Sequence, residues 1–178
     1  SIGKAADDGG LRIAPSGWYV RRLEFGILGP LAAWNDGREL PLGAAKQQAL
    51  LAILLLRANE VVPTARLVDE LWDERPPATA VKAVQVYVSQ LRKVLGAGVL
   101  ETHAAGYRLL LEPGALDLDR FRALTERGRE LLTEGEPAEA GAALRAALVL
   151  WRGPPLAGLE FEPFAASDRE RSQSAALN

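Results

Sequence analysis

The chain of 178 residues contains no cysteine, no methionine and a single histidine. Without cysteine there is no disulfide, no thiolate zinc site and no redox chemistry on sulfur. The one imidazole, His103, sits in an expected turn, so no Ser-His-Asp set is expected, and metal ligands of the His/Cys kind are missing. It also lacks a glycine-rich phosphate loop followed by Lys-Ser or Lys-Thr. An enzyme is therefore not expected, and no cofactor is called for. No apolar run is long enough to cross a bilayer. The longest, Ala49 to Leu56, has the length of a buried helix. No signal peptide is visible, so a cytoplasmic protein without membrane association is the expectation. The missing methionine implies a processed chain or an excised piece of a longer one.

A strong excess of either charge is lacking too: the net charge is −2. Its distribution is more telling than its sum. Residues 1–22 carry four basic and two acidic groups, residues 23–111 carry nine of each, and residues 112–178 carry eight basic against twelve acidic. The acidity belongs to the last third, and a local patch rather than the total decides phosphate binding.

The most telling stretch that is present runs from Thr79 to Leu95. Val81, Val84, Val88, Leu91 and Leu95 recur at helical spacing and predict one apolar stripe. The other faces carry Lys82, Gln85, Ser89, Gln90, Arg92 and Lys93, with no acid in the run. Such a helix suits the DNA major groove, where Arg and Lys neutralise phosphates and Gln or Lys read base edges.

The flanking sequence supports this placement. Residues 1–22 show no period and read as a mobile tail or an expression remnant. Short apolar pieces follow from Leu23, with a hairpin signal at Asn35-Asp36-Gly37, and predict a small antiparallel sheet. Lys46 to Arg57 predicts a helix buried on nearly every side, and Asn59 with Val61-Val62-Pro63 ends it. Thr64 is the expected N-cap of a second helix, Ala65 to Trp72; a Pro-stiffened acidic loop, Asp73 to Ala78, then leads to Thr79 as the next N-cap. Gly96 and Gly98 end the basic helix. Val99 to Thr102, a turn at His103 to Gly106, and Tyr107 to Leu111 predict a closing hairpin.

After Pro113-Gly114, Asp117 or Asp119 is expected to cap a helix running to about Thr133. Gly135-Glu136-Pro137 turns the chain into a second helix, Ala138 to Trp151, and a third is expected near Pro163. Small residues (Gly128, Ala140, Ala143, Ala147) are expected at the contact of the pair, which looks truncated because stacked repeats need further units. The fold class that follows is α+β: a winged helix-turn-helix with an N-terminal antiparallel sheet and a C-terminal wing hairpin, then an all-α helical-repeat-like segment. The expected boundaries are a tail at 1–22, the winged helix at 23–111 and the helical segment at 112–178.

Several of these residues are familiar together. "KAVQVYVSQLRKVL" followed by "ETHAAGYRL" resembles the recognition helix and wing of OmpR-type DNA-binding domains. "PLGAAKQQALLAILLLRANEVV", "LVDELWDERPPATA", "LDLDRF" and "LWRGPPLAGL" resemble more specifically the Streptomyces antibiotic regulatory protein family, which joins an OmpR-type winged helix to a bacterial transcriptional activation domain. The likeness covers roughly residues 23–165. It implies a transcriptional activator of antibiotic biosynthesis that binds direct repeats in promoter double-stranded DNA, as a homodimer there, and touches RNA polymerase and its sigma factor. By position it implies that Lys82, Gln85, Val86 and Ser89 face bases. Arg92, Lys93, Trp72, Thr102 and Tyr107 would approach the sugar–phosphate backbone, with Lys46 near a helix start; Gln90, His103 and Arg108 complete the DNA-facing set. Asp73, Glu74, Arg75, Pro76 and Pro77 would lie where family members touch polymerase.

Two positions depart from the family pattern. The wing tip, usually carrying arginine, is His103-Ala104-Ala105, and Gln90 stands where arginine is common. Both changes remove a cation, which lowers the expected affinity or shifts weight to a second protomer, and shallows the salt slope by about two units.

Simpler readings apply to several residues. Trp72 is expected to pack the second helix against the sheet, with its indole N–H still open to DNA; Trp151 reads as a helix–helix anchor, and His103 as a solvated turn residue. The alternative reading of the whole is a protein-interaction module that kept the winged-helix fold and lost specific DNA binding.

Overall fold

The computed structural model describes residues 22–73 and 75–159. The expected third helix near Pro163, and the tail before Arg22, lie outside the described residues. β1 (Leu23–Gly26), β2 (Ala32–Asn35) and β3 (Arg38–Glu39) form an antiparallel sheet in that order. Its hairpin turns at Asp36 (φ 50°) and Gly37 (φ 78°). Two successive left-handed residues give the turn twist that matches the strands it joins, which is why Asp-Gly sits there.

α1 (Ala45–Leu55) follows, with every residue from Ala49 to Leu55 buried. It is the centre of the core, as its apolar run predicts. Asn59, left-handed at φ 66°, then reverses the chain and ties it down: its side chain accepts the Leu111 N–H at 2.9 Å and donates to the Leu111 carbonyl at 3.3 Å.

The expected end of α1 turns out to be an element of its own. Val62–Pro63 forms β4, paired with the wing, in a sheet ordered β4-β6-β5 with β5 (Leu100–Thr102) and β6 (Gly106–Leu109). Gly106 makes this pairing possible, since a Cβ there would collide with the Val62 carbonyl and lie 2.8 Å from Pro63 Cα. α2 is Thr64–Trp72, so Thr64 is its first residue and Pro63 its N-cap; no side chain caps it. Pairing of Pro63 with Gly106 fixes the entry to the helix in place of a hydroxyl cap.

α3 (Ala80–Leu95) buries Ala80, Val84, Val88, Leu91 and Leu95 against α1 and α2. The expected stripe is thus corrected at its first member. Ala80 takes the buried place, and Val81, one position further round in the first turn, is 53% exposed. Thr79 is the N-cap residue, but its side chain makes no capping bond.

α4 (Asp117–Glu134) and α5 (Pro137–Val149) form an antiparallel pair. Gly135 ends α4 in the left-handed conformation (φ 82°), and the Glu136 N–H returns to the Leu131 carbonyl at 2.8 Å. Gly128, Ala140 and Ala147 are buried at the contact and Ala143 is half-buried, as expected of small residues there. The closeness is visible at Gly128, where a Cβ would lie 2.8 Å from Leu144. The Trp151 ring lies against Phe121 of α4 at 5.8 Å between centroids and stays 47% exposed.

Neither expected cap of α4 acts as one: Leu116 is the N-cap residue and no side chain caps the helix. Asp117 instead turns its buried carboxylate to the end of the first sheet. It accepts the Ile27 N–H at 2.9 Å and the Leu28 N–H at 3.0 Å, and Arg152 stands 3.6 Å away. Backbone bonds from Phe25 to Ala115, Arg152 to Leu28 and Leu156 to Ile27 run alongside. The Arg152 guanidinium lies over the Trp34 ring at 5.1 Å, in space that Gly26 leaves free. Together these bonds make the first sheet the bridge between the winged helix and the helical pair.

Candidate nucleic-acid interface

Turning at 100° per residue, α3 places Lys82, Val86, Ser89 and Lys93 opposite its buried stripe, with Gln85 and Gln90 on either side. All six are exposed, Val86 at 44%, and among the described residues no other element covers them. This is the face expected to meet bases and phosphates, widened at one end by Val81. Arg92 and Lys93 fall in the last turn, where cations also satisfy the helix dipole.

Arg92 ties the wing to this helix by its side chain. Arg92 Nε donates to the Leu100 carbonyl at 2.8 Å, and its terminal nitrogen donates to Thr102 Oγ1 at 2.6 Å. Arg92 and Thr102, both expected at the DNA backbone, therefore bind each other and set the angle between wing and helix. The planar fork of arginine suits this double bond in a way lysine could not.

Other members of the expected set are placed differently. Tyr107 is buried in the core at 7% exposure and presents little surface. The Lys46 ammonium donates to the Leu71 carbonyl at 2.6 Å and lies 6.0 Å from the centre of the Trp72 ring. Lys46 thus serves the end of α2, where the carbonyls of the last turn lack helical partners. Trp72 stacks on Tyr87 of α3 (6.5 Å, 20°), so it locks the angle between the two helices of the helix-turn-helix.

His103 and Arg108 are joined through a residue that the sequence reading passed over. Arg108 donates to Glu101 Oε2 through two nitrogens at 3.0 and 2.7 Å, and His103 Nε2 lies 3.2 Å from the same oxygen. The Arg108 guanidinium, and secondarily His103, hold the Glu101 carboxyl below the usual glutamate range. Hairpin register held the signal, because counting back from the turn puts Glu101 directly across from Arg108.

The loop between α2 and α3 leaves Asp73, Arg75, Pro76 and Pro77 exposed; Glu74 lies outside the described residues. Asp73 ends α2 at φ 53°, a conformation rare for a non-glycine residue.

A helix packed on one face and bare on the other, with a hairpin pinned at its side, defines the winged helix-turn-helix class. Here it continues into an antiparallel helix pair. Two family models match in the same order: "Transcriptional regulatory protein, C terminal" over residues 37–109 and "Bacterial transcriptional activator domain" over residues 116–178. The chain belongs to the Streptomyces antibiotic regulatory protein family of transcriptional regulators.

It is 45% identical over 150 residues to the regulatory protein AfsR of Streptomyces coelicolor, covering 84% of this chain and 15% of that protein. With the transcriptional regulatory protein EmbR of Mycobacterium tuberculosis the identity is 40% over 163 residues, covering 86% and 42%. The regulatory protein DnrI of Streptomyces peucetius is 37% identical over 142 residues, covering 74% and 52%. The structure of Mycobacterium tuberculosis EmbR, solved in complex with a low-affinity phosphopeptide, matches with a TM-score of 0.78 at 38% identity, over 88% of this chain and 44% of that one. The chain thus spans about half or less of the length of these relatives.

Proposed function

We propose that this chain is the DNA-binding and activator-domain portion of a cytoplasmic transcriptional activator. In this reading α3 enters the major groove of promoter direct repeats, two protomers sit on the repeats, and the Asp73 to Pro77 loop meets RNA polymerase and its sigma factor. The observation that carries it is the uncovered, acid-free face of α3 from Lys82 to Lys93 beside a wing pinned by Arg92. Lys82 and Lys93 supply charge for phosphates, while Gln85 and Gln90 offer the paired donor and acceptor that adenine requires. Fluorescence-anisotropy titration across a salt series tests it. A direct-repeat promoter fragment should bind at least about a hundredfold more tightly than scrambled duplex. Equal, weak binding to both would refute it.

One observation favours the alternative, a protein-interaction module: the wing's one arginine, Arg108, is already engaged by Glu101. Lys82→Glu combined with Lys93→Glu separates the two. Loss of duplex binding with an unchanged melting temperature supports DNA recognition, whereas unchanged duplex binding supports the module.

A further inference from the structure

The wing carries three groups able to hold charge between Leu100 and Leu109: Glu101, His103 and Arg108. Arg108, through two nitrogens at 2.7 and 3.0 Å, and His103 at 3.2 Å converge on one atom, Glu101 Oε2. The wing's one arginine is therefore paired with its one carboxylate, although the wing is fastened to α3, which carries Lys82, Arg92 and Lys93 and no acid. Glu101 is also the only acid among the residues of α3 and the wing.

We propose that Glu101 is an intramolecular latch that occupies Arg108 in place of a DNA phosphate, so that the wing's grip on DNA is held in reserve. This rests on the reading of α3 and the wing as a DNA interface. The side chains of Glu101 and Arg108 are 36% and 34% exposed. Solvent reaches the pair, and pairs so exposed are held weakly. A phosphate offers Arg108 the same charge-assisted, two-nitrogen geometry that Glu101 offers it now. The exchange costs the carboxylate its partner while adding one phosphate contact. The latch accordingly limits the wing's share of binding whenever Glu101 is ionised. It also compensates for nothing in the core, since Glu101 and Arg108 pair on the outer face of the hairpin while Leu100 and Leu109 pair on the buried one.

A variant cycle on the full chain tests this against a duplex that the chain itself enriches from a random library. Glu101→Gln should raise affinity several-fold near 0.1 M salt and steepen the slope of log K against log salt by about one unit, the signature of one added phosphate contact. Arg108→Gln alone should leave that slope nearly unchanged, because the latched arginine contributes nothing to it. The double variant should lose the gain of Glu101→Gln. Three results overturn the proposal: Glu101→Gln with the wild-type slope, Arg108→Gln that alone shallows the slope by a unit, or a double variant that keeps the gain. Failure to enrich any duplex would instead refute the DNA reading itself, and the latch with it.

Discussion

Arg108, Glu101 and Gly106 show how much of this molecule is decided by single atoms. Gly106 is needed for space, since its backbone lies against the Val62 carbonyl and Pro63. Gly106→Ala should overpack β4 against β6 and destabilise the fold by about 1–3 kcal/mol, measurable by urea unfolding. At Glu101 the pH dependence has a definite sign. Its folded pKa lies below that of the unfolded chain, owing first to Arg108 and then to His103. The pair's contribution is therefore complete above the unfolded value and is lost as pH falls through the folded one. The cross-strand bond should persist at a pH where an ordinary glutamate is already half protonated. NMR titration of the Glu101 carboxyl carbon checks this, and a midpoint at or above the usual glutamate value would contradict it. None of these three roles can be assigned from residue type, because each depends on the atom directly opposite.

At the scale of elements, α3 was the most legible part of the chain, and the reason is physical. A 16-residue helix repeats its apolar spacing often enough to define a face. Only the first turn departs from that reading: the spacing puts Val81 in the stripe, and packing selects the smaller Ala80. Leu91→Ala should cost about 2–5 kcal/mol, while Val81→Ala should change stability by less than about 0.5 kcal/mol. Thermal melts of the two variants would expose an exchange of roles. β4 was illegible for the opposite reason: two residues carry no period, and only the wing opposite makes them a strand. Arg92 joins elements instead of belonging to one. Arg92→Lys removes the fork that holds both Leu100 and Thr102, and should weaken duplex binding about tenfold through a loosened wing. Anisotropy alongside the melting curve checks it; unchanged affinity would mean that the wing keeps its place without Arg92.

Across the whole molecule, the first sheet matters more than its size suggests. Asp117 lies 90 residues from Ile27 in sequence, yet its carboxylate closes the backbone of β1's exit. Removing it strands two buried N–H groups, each costing about 1–3 kcal/mol. Asp117→Ala should therefore split one calorimetric transition into two, as the helical pair separates from the winged helix. A single transition shifted by less than a degree would show that backbone pairing alone holds the halves. Coupling of this kind would let a recognition helix and an activator domain move as one body, so the same variant should lose promoter activation in cells before it loses duplex binding in vitro.

Local pattern by itself determined the order of the elements other than β4, the hairpin at Asp36-Gly37, the buried α1, and the acid-free face of α3. These follow from periodicity and turn chemistry, which act over a few residues. Tertiary structure alone decided that Asp117 holds a distant sheet rather than its own helix, and that Lys46 and Tyr107 serve the interior. A carboxylate at a helix start bonds whichever N–H groups are unpaired within reach. Only the folded chain determines which those are.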